Sequence, residues 1–190
     1  MQNELKKYIR SYFGVTNDDL EIILSFFQPV KIRKNDFFLK EGAYAHRLGF
    51  VQSGIVREFM LSDGKEVTKW IATPGYFVVD LAGFLFDSPS RWNLQALTDC
   101  EIWAISKTDY QRIAELLPKW TELEKLFIAR CFTILEDRVV SHLSLSAEER
   151  YDRFFRYAPH LFNLVPLQYL ASMLGMTPET FSRIRKKRTS

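Results

Sequence analysis

The chain holds 190 residues, 47% of them apolar, with 26 lysines and arginines against 23 acidic residues and a net charge of +3. This is enough apolar material for one large domain, or a medium domain with a small one, and it excludes a disordered chain. No apolar run approaches the roughly 18 to 20 residues of a membrane span, and MQNELKKYIR lacks the apolar stretch of a signal peptide. Cys100 and Cys131 form no CxxC pair, so a soluble cytoplasmic protein with no membrane partner and no metal site is expected.

Leu5, Tyr8 and Ile9, then Leu20, Ile23, Leu24 and Phe27, recur at helical spacing, with a start signal at Asn17 and Asp18 and a stop at Pro29. From Val30 to about Ile105 the pattern changes to short β-branched and aromatic runs: VKIRK, DFFLK, LGFVQ, IVREFML, EVTKWIAT, YFVVDL, WNLQAL and EIWAI. Gly42, Gly54, Asp63-Gly64, Pro74-Gly75, Gly83 and Ser88-Pro89 punctuate them, which predicts an antiparallel β-barrel or jelly roll. Asp63-Gly64 marks a hairpin.

Helical spacing returns near Tyr110 to Leu117 and again from Pro118 to about Leu143. The long segment carries two apolar stripes, Trp120, Leu123, Phe127, Cys131 and Ile134 on one face and Ile128, Phe132, Leu135 and Val139 on its neighbour. One stripe is expected to cover the barrel, and the other, assigned to the Trp120 to Ile134 set, to meet a second copy of the chain in a homodimer seam. Ser146 with Glu149 opens a helix from Ala147 to Tyr157 by a capping box.

In LQYLASMLGMTPETFSRIRKKR, Leu167, Leu170, Ala171 and Leu174 share a helical face, Gly175 suits a C-terminal cap, and Thr177 with Pro178 suits the start of a second helix. This is the spacing of a helix-turn-helix. Phe181 and Ile184 face one way; Glu179, Arg183, Lys186 and Lys187 face the other, flanked by Thr180 and Ser182. Residues 146–190 hold 8 basic residues against 4 acidic ones, whereas residues 1–145 hold 18 against 19, so the positive excess sits in this part. Such a surface suits double-stranded DNA, with Arg183 long enough to fork onto a guanine edge and Thr177, Glu179, Thr180, Ser182, Arg185, Lys186 and Lys187 beside it.

The order of glycine-punctuated barrel, long helix and helix-turn-helix resembles the Crp/Fnr superfamily of bacterial transcription regulators. KEGAYAHRLGFVQSGIVREFMLSDGKE from Lys40 to Glu66, RVVSHLSLSAEERYDRFF from Arg138 to Phe155 and LASMLGMTPETFSRIRKK from Leu170 to Lys187 carry the likeness. It implies an α+β chain with a cyclic-nucleotide-binding-like sensor at 1–117, a dimerisation helix and hinge at 118–145, and a DNA-binding head at 146–190. Related regulators hold a cyclic nucleotide with a Gly-Glu-Leu segment and an Arg-Ser or Arg-Thr pair. Here these become Val79-Asp80-Leu81 and Ser90-Arg91, so the resemblance implies an effector pocket of Val79, Asp80, Leu81, Ser90, Arg91, Trp92 and Asn93, for a small molecule other than cyclic AMP. Val79 in place of glycine blocks close backbone approach, and Arg91, displaced by one residue within a strand, is expected on the opposite face.

Two isolated cysteines do not supply the iron–sulfur ligands of the oxygen-sensing branch, and His46, His142 and His160 stand in no haem-ligand context. Pro178 stands where well-known relatives place an arginine, and no wing is expected after the second helix. Affinity is therefore expected to lean on Arg183, Arg185, Lys186, Lys187 and Arg188 and to be salt-dependent. The function expected is a homodimeric transcription regulator, not an enzyme and without a resident cofactor, its partners being DNA, an unidentified small-molecule effector and RNA polymerase. The alternative is a small-molecule sensor acting through protein partners, its head vestigial.

Overall fold

The computed structural model describes residues 3–13 and 15–189. Two helices lead, α1 (Asn3–Phe13) and α2 (Asn17–Ser25). The residue capping α2 is Thr16, one before the expected start signal: its hydroxyl accepts the Asp19 N–H while the Asp19 carboxylate accepts the Thr16 N–H at 3.3 Å.

Eight strands follow: β1 (Gln28–Ile32), β2 (Phe37–Leu39), β3 (Arg47–Ser53), β4 (Val56–Ser62), β5 (Lys65–Ala72), β6 (Phe77–Val78), β7 (Asn93–Ala96) and β8 (Cys100–Ser106). They form two antiparallel sheets of four, in the orders β1-β8-β3-β6 and β2-β7-β4-β5, so the strands expected of a barrel or jelly roll are realised as a jelly-roll-like pair of sheets. Ile32, Val51 and Ile102 of one sheet meet Phe38, Val56 and Leu94 of the other in a common apolar layer. At the β4–β5 turn Asp63 and Gly64 have φ of 49° and 74°, the two positive angles of a type I′ hairpin.

The run YFVVDL is not one strand. Only Phe77 and Val78 pair in β6; the chain then turns into α3 (Leu81–Phe86), capped by Asp80, whose side chain accepts the Gly83 N–H. Gly83, read as a turn residue, lies inside that helix.

The remaining helices are α4 (Lys107–Leu116), α5 (Trp120–Ser144), α6 (Ala147–Tyr157), α7 (Leu161–Leu164), α8 (Leu167–Met173) and α9 (Pro178–Thr189). α6 starts at the Ser146–Glu149 capping box, with both arms made. On α5 the assignment of the two stripes is corrected. Trp120, Leu123 and Phe127 are buried in this chain's own core, where Phe13 of α1 stacks on Trp120 and Phe127 with ring centroids 5.4 and 5.2 Å apart. Cys131 is half-buried and Ile134 alone of that set is exposed, because α1, α4 and β6 cover the face expected to form the seam. The exposed apolar stripe is made instead by Leu126, Phe132, Leu135, Val139, Val140 and Leu143, the last 83% exposed.

The C-terminal helices pack on the outer face of the β2-β7-β4-β5 sheet. Ile55, just ahead of β4, and Ile71 of β5 complete the apolar cluster formed by Tyr151, Phe162, Leu170, Phe181 and Ile184. Beside it Arg57 of β4 is only 1% exposed. Its Nε donates to the Thr68 hydroxyl at 2.9 Å and its Nη1 to Glu66 Oε2 at 2.6 Å, while its guanidinium lies 4.1 Å from the Phe59 ring centroid and 3.6 Å from that of Tyr169 on α8. Ser172 of α8 accepts the Thr68 N–H at 2.9 Å. A desolvated guanidinium is stable only with such partners, and its cation–π contacts are worth about 2 kcal/mol. Glu66 is half-exposed and rehydrates if its partner is lost, which limits the damage. Arg57→Ala is expected to lower the unfolding free energy by about 2 to 3 kcal/mol in a urea titration; a loss within about 0.5 kcal/mol of zero, the range of an ordinary surface change, contradicts this account of the contact.

Candidate functional site

Two candidate sites follow from the sequence, one in the sheets and one on α9. In the first, the polar side chains of Asp80, Ser90 and Asn93 are engaged within the chain. Buried Asp80 accepts the Gly83 N–H through Oδ1 and the Arg91 N–H through Oδ2, both at 3.3 Å. The buried Ser90 hydroxyl donates to the Trp92 carbonyl and accepts the Trp92 N–H, both at 3.0 Å. Asn93 Oδ1 accepts the Glu41 N–H at 3.1 Å, and its Nδ2 donates to Glu41 Oε2 at 3.2 Å. Val79 and Leu81 are half-buried on either side of Asp80.

Arg91 is exposed and lies in a bend ahead of β7, so the strand-parity argument for its direction does not apply; its guanidinium stands 5.9 Å from the Trp92 ring centroid. A carboxylate spent on capping a helix and an arginine turned to solvent do not fit the ribose and cyclic phosphate of a bound nucleotide.

Two residues that the sequence reading passed over stand at this place. Lys69 on β5 holds its ammonium 4.3 Å from the Trp92 ring centroid and forms an ion pair with Glu58 on β4. Burial pushes the Glu58 carboxyl up from its usual value of 4.5; the Lys69 and Arg138 charges pull it down, and Asp80 adds to the rise. A charged pair on adjacent strands, where alternation calls for an apolar side chain, was the available signal.

On the C-terminal helices the turn is fully specified. Gly175 has φ of 65°; its N–H meets the Ser172 carbonyl at 3.0 Å and the Met176 N–H meets the Ala171 carbonyl at 3.0 Å, the paired bonds of a Schellman cap. A Cβ at Gly175 would also stand 3.1 Å from the His142 ring. Thr177 accepts the Thr180 N–H at 3.2 Å, opening α9 at Pro178. Phe181 and Ile184 are buried, and Glu179, Ser182, Arg183 and Lys186 share an exposed depression with Leu167 and Pro178.

The basic run is thereby divided. Lys187 donates to Glu148 of α6 at 3.0 Å, and Arg188 forms a two-pronged pair with Asp152 at 2.9 and 2.5 Å. Arg185 is half-buried on that same side, near Tyr151 and Asp152. Lys187 and Arg188 are therefore drawn toward the acidic residues of α6, and Arg185 lies on that side of α9, away from Arg183.

The Glu58 shift sets a pH dependence. Its folded value lies above its unfolded one, so its protonated form favours the fold: that stability is full below about pH 4.5 and is lost as the pH rises through the folded value. Glu58→Gln is expected to gain on the natural chain as the pH climbs from 4 to 8, measured by urea titration. Equal slopes for the two proteins would show that Lys69 fully compensates the burial.

Residues 29–116 match the family described as the cyclic nucleotide-binding domain. Among solved structures, FixK2 from Bradyrhizobium japonicum is similar with a TM-score of 0.71 and 20% identity, over 85% of this chain and 83% of that one. The c-di-GMP-responsive global regulator CLP of Xanthomonas campestris gives 0.67 and 20%, over 92% of each chain. The catabolite activator protein of Thermus thermophilus gives 0.58 and 23%, over 94% of this chain and 85% of that one. Comparison with curated proteins gives no match. Residues 29–116 thus resemble the cyclic nucleotide-binding domain, in a chain whose fold is similar to those of FixK2 and CLP.

Proposed function

We propose that the chain is a homodimeric transcription regulator whose α8–α9 pair is a helix-turn-helix, with α9 entering the major groove. The observation that carries the reading is the exposed cluster of Glu179, Ser182, Arg183 and Lys186 on the face of α9 opposite buried Phe181 and Ile184. A helix held by its apolar side, with a guanidinium, an ammonium and a hydroxyl on the other, meets base edges and phosphates together. The likeness in fold to FixK2 and to the global regulator CLP supports it.

Dimerisation supplies the second half of the reading. The exposed stripe from Leu126 to Leu143 on α5 is apolar over several turns, and a second copy laid along it would bury that surface and place two α9 helices on successive major grooves, about 34 Å apart. Lys187 and Arg188, engaged with α6, act on DNA less than the total basic charge suggests. The effector is a small molecule other than cyclic AMP, because Asp80 and Arg91 are not arranged to hold one.

The test is a fluorescence-anisotropy titration of specific and random duplexes at two salt concentrations. Arg183→Ala is expected to cost about 1 to 3 kcal/mol on the specific site and little on random DNA, whereas Lys186→Ala weakens both alike and lowers the salt slope by about one. Equal losses on both duplexes for Arg183→Ala would remove it from base reading; no binding to either duplex by the natural chain would favour a sensor that works through protein partners.

A further inference from the structure

Outside both sites, a half-open cavity of about 460 Å³ lies at the junction of β5, α5, α6 and α8. Its walls are apolar, with Trp70 and Ile71 from the sheet and Phe154 and Leu161 from the head. Its charged lining is unequal: Arg138, Arg150 and Arg153 stand against the single carboxylate of Asp137. A volume in the range of small-molecule pockets, apolar walls and a few converging cations describe a site for an organic anion with an apolar body.

Two of the three guanidiniums are fixed in place. Arg138 donates to the Lys69 carbonyl of β5 and, at 2.9 Å, to the Met173 carbonyl of α8, with its guanidinium 5.5 Å from the Trp70 ring centroid. Arg150 donates to the Leu174 and Leu145 carbonyls at 2.8 and 2.6 Å. These bonds go to neutral carbonyls, so they hold the two cations in place without themselves cancelling the charge; Glu58 lies near Arg138 but is also paired with Lys69. Arg153 is exposed at the rim. Tyr76 ahead of β6 and Tyr157 at the end of α6 both line the cavity and are hydrogen-bonded through their hydroxyls.

We propose that this cavity is the effector site, taking an amphiphilic organic anion, a carboxylate or sulfonate on a flat apolar body, in place of a nucleotide between the sheets. Every wall belongs to a part whose relative placement aims α9: the sheet, the dimer helix and the head. An anion drawn to Arg138 and Arg150 competes with the carbonyls that now tie β5 to α8, and a ring inserted beside Trp70 parts Tyr76 from Tyr157. The occupied form is therefore expected to loosen the head from the sheet. That consequence rests on the regulator reading; binding itself does not, and it is measured without DNA.

The test uses the full chain with two fluorescent probes of the same apolar body, 1-anilinonaphthalene-8-sulfonate and its uncharged parent N-phenyl-1-naphthylamine. The sulfonate is expected to saturate at one molecule per chain and to bind about ten-fold more tightly than the neutral probe. Arg153→Glu, a rim substitution that removes no bond described above, is expected to weaken the sulfonate about ten-fold and leave the neutral probe unchanged. Ser141→Trp, which fills the cavity, is expected to remove both, and Arg91→Ala to alter neither. Equal affinity of the two probes together with no effect of Arg153→Glu would overturn the proposal and point to the exposed α5 stripe, as would the absence of saturable binding. Because Arg153→Glu leaves the core intact, the test stands even if Ser141→Trp does not fold.

Discussion

A positive charge buried between sheet and head is the constraint around which the rest of the structure is arranged. Arg57 has almost no contact with water, and a guanidinium so placed must be held on every side. Thr68 and Glu66 satisfy it from β5, Phe59 from its own strand, and Tyr169 from α8, so the charge keeps its low energy only while the head is docked. Ile55 and Ile71 add the apolar half of the same contact by entering the cluster around Phe162 and Phe181. Sheet and head therefore share one core rather than touching at a polar boundary.

This docking dictates what α5 can do. Its first turns are consumed by α1 and the sheets, with Trp120 and Phe127 stacked on Phe13; its later turns carry Arg138, which ties β5 to α8, beside an exposed apolar stripe. One helix thus touches the sensor, the head and the surface proposed for a second copy. The proposed regulation follows from that geometry, since a ligand at the junction changes three contacts at once. The site between the sheets offers less: Asp80 caps α3, Ser90 is bonded to Trp92, and Lys69 sits over Trp92 with Glu58, so the polar groups there already serve the domain itself.

What was legible in the sequence was local. Ser146 with Glu149, Asp63 with Gly64, and Gly175 followed by Thr177 and Pro178 each specify their own backbone within a few residues, and each forms the expected cap or turn. The run YFVVDL, Tyr76 to Leu81, misleads because its four leading apolar residues have no decisive period; only the side chain of Asp80, turned back on Gly83, selects a helix there. The two stripes of α5 were seen, yet which one a protein covers depends on where distant helices land, and α1 landed on the stripe assigned to the seam. In the same way helical angles placed Lys187 beside Arg183, and it took the acidic face of α6 to draw it aside. The pairing of Glu58 with Lys69 needed the register of β4 on β5, which includes a bulge at that point.

The central claim is that two copies of α9, spaced by α5, read DNA. It is tested most directly by selecting genomic fragments with the purified chain and sequencing what is retained. The account predicts enrichment of a pseudo-palindrome whose half-sites lie one helical turn, about 10 base pairs, apart, or a whole number of turns. Retention without any shared motif, or a single unpaired half-site, would contradict it.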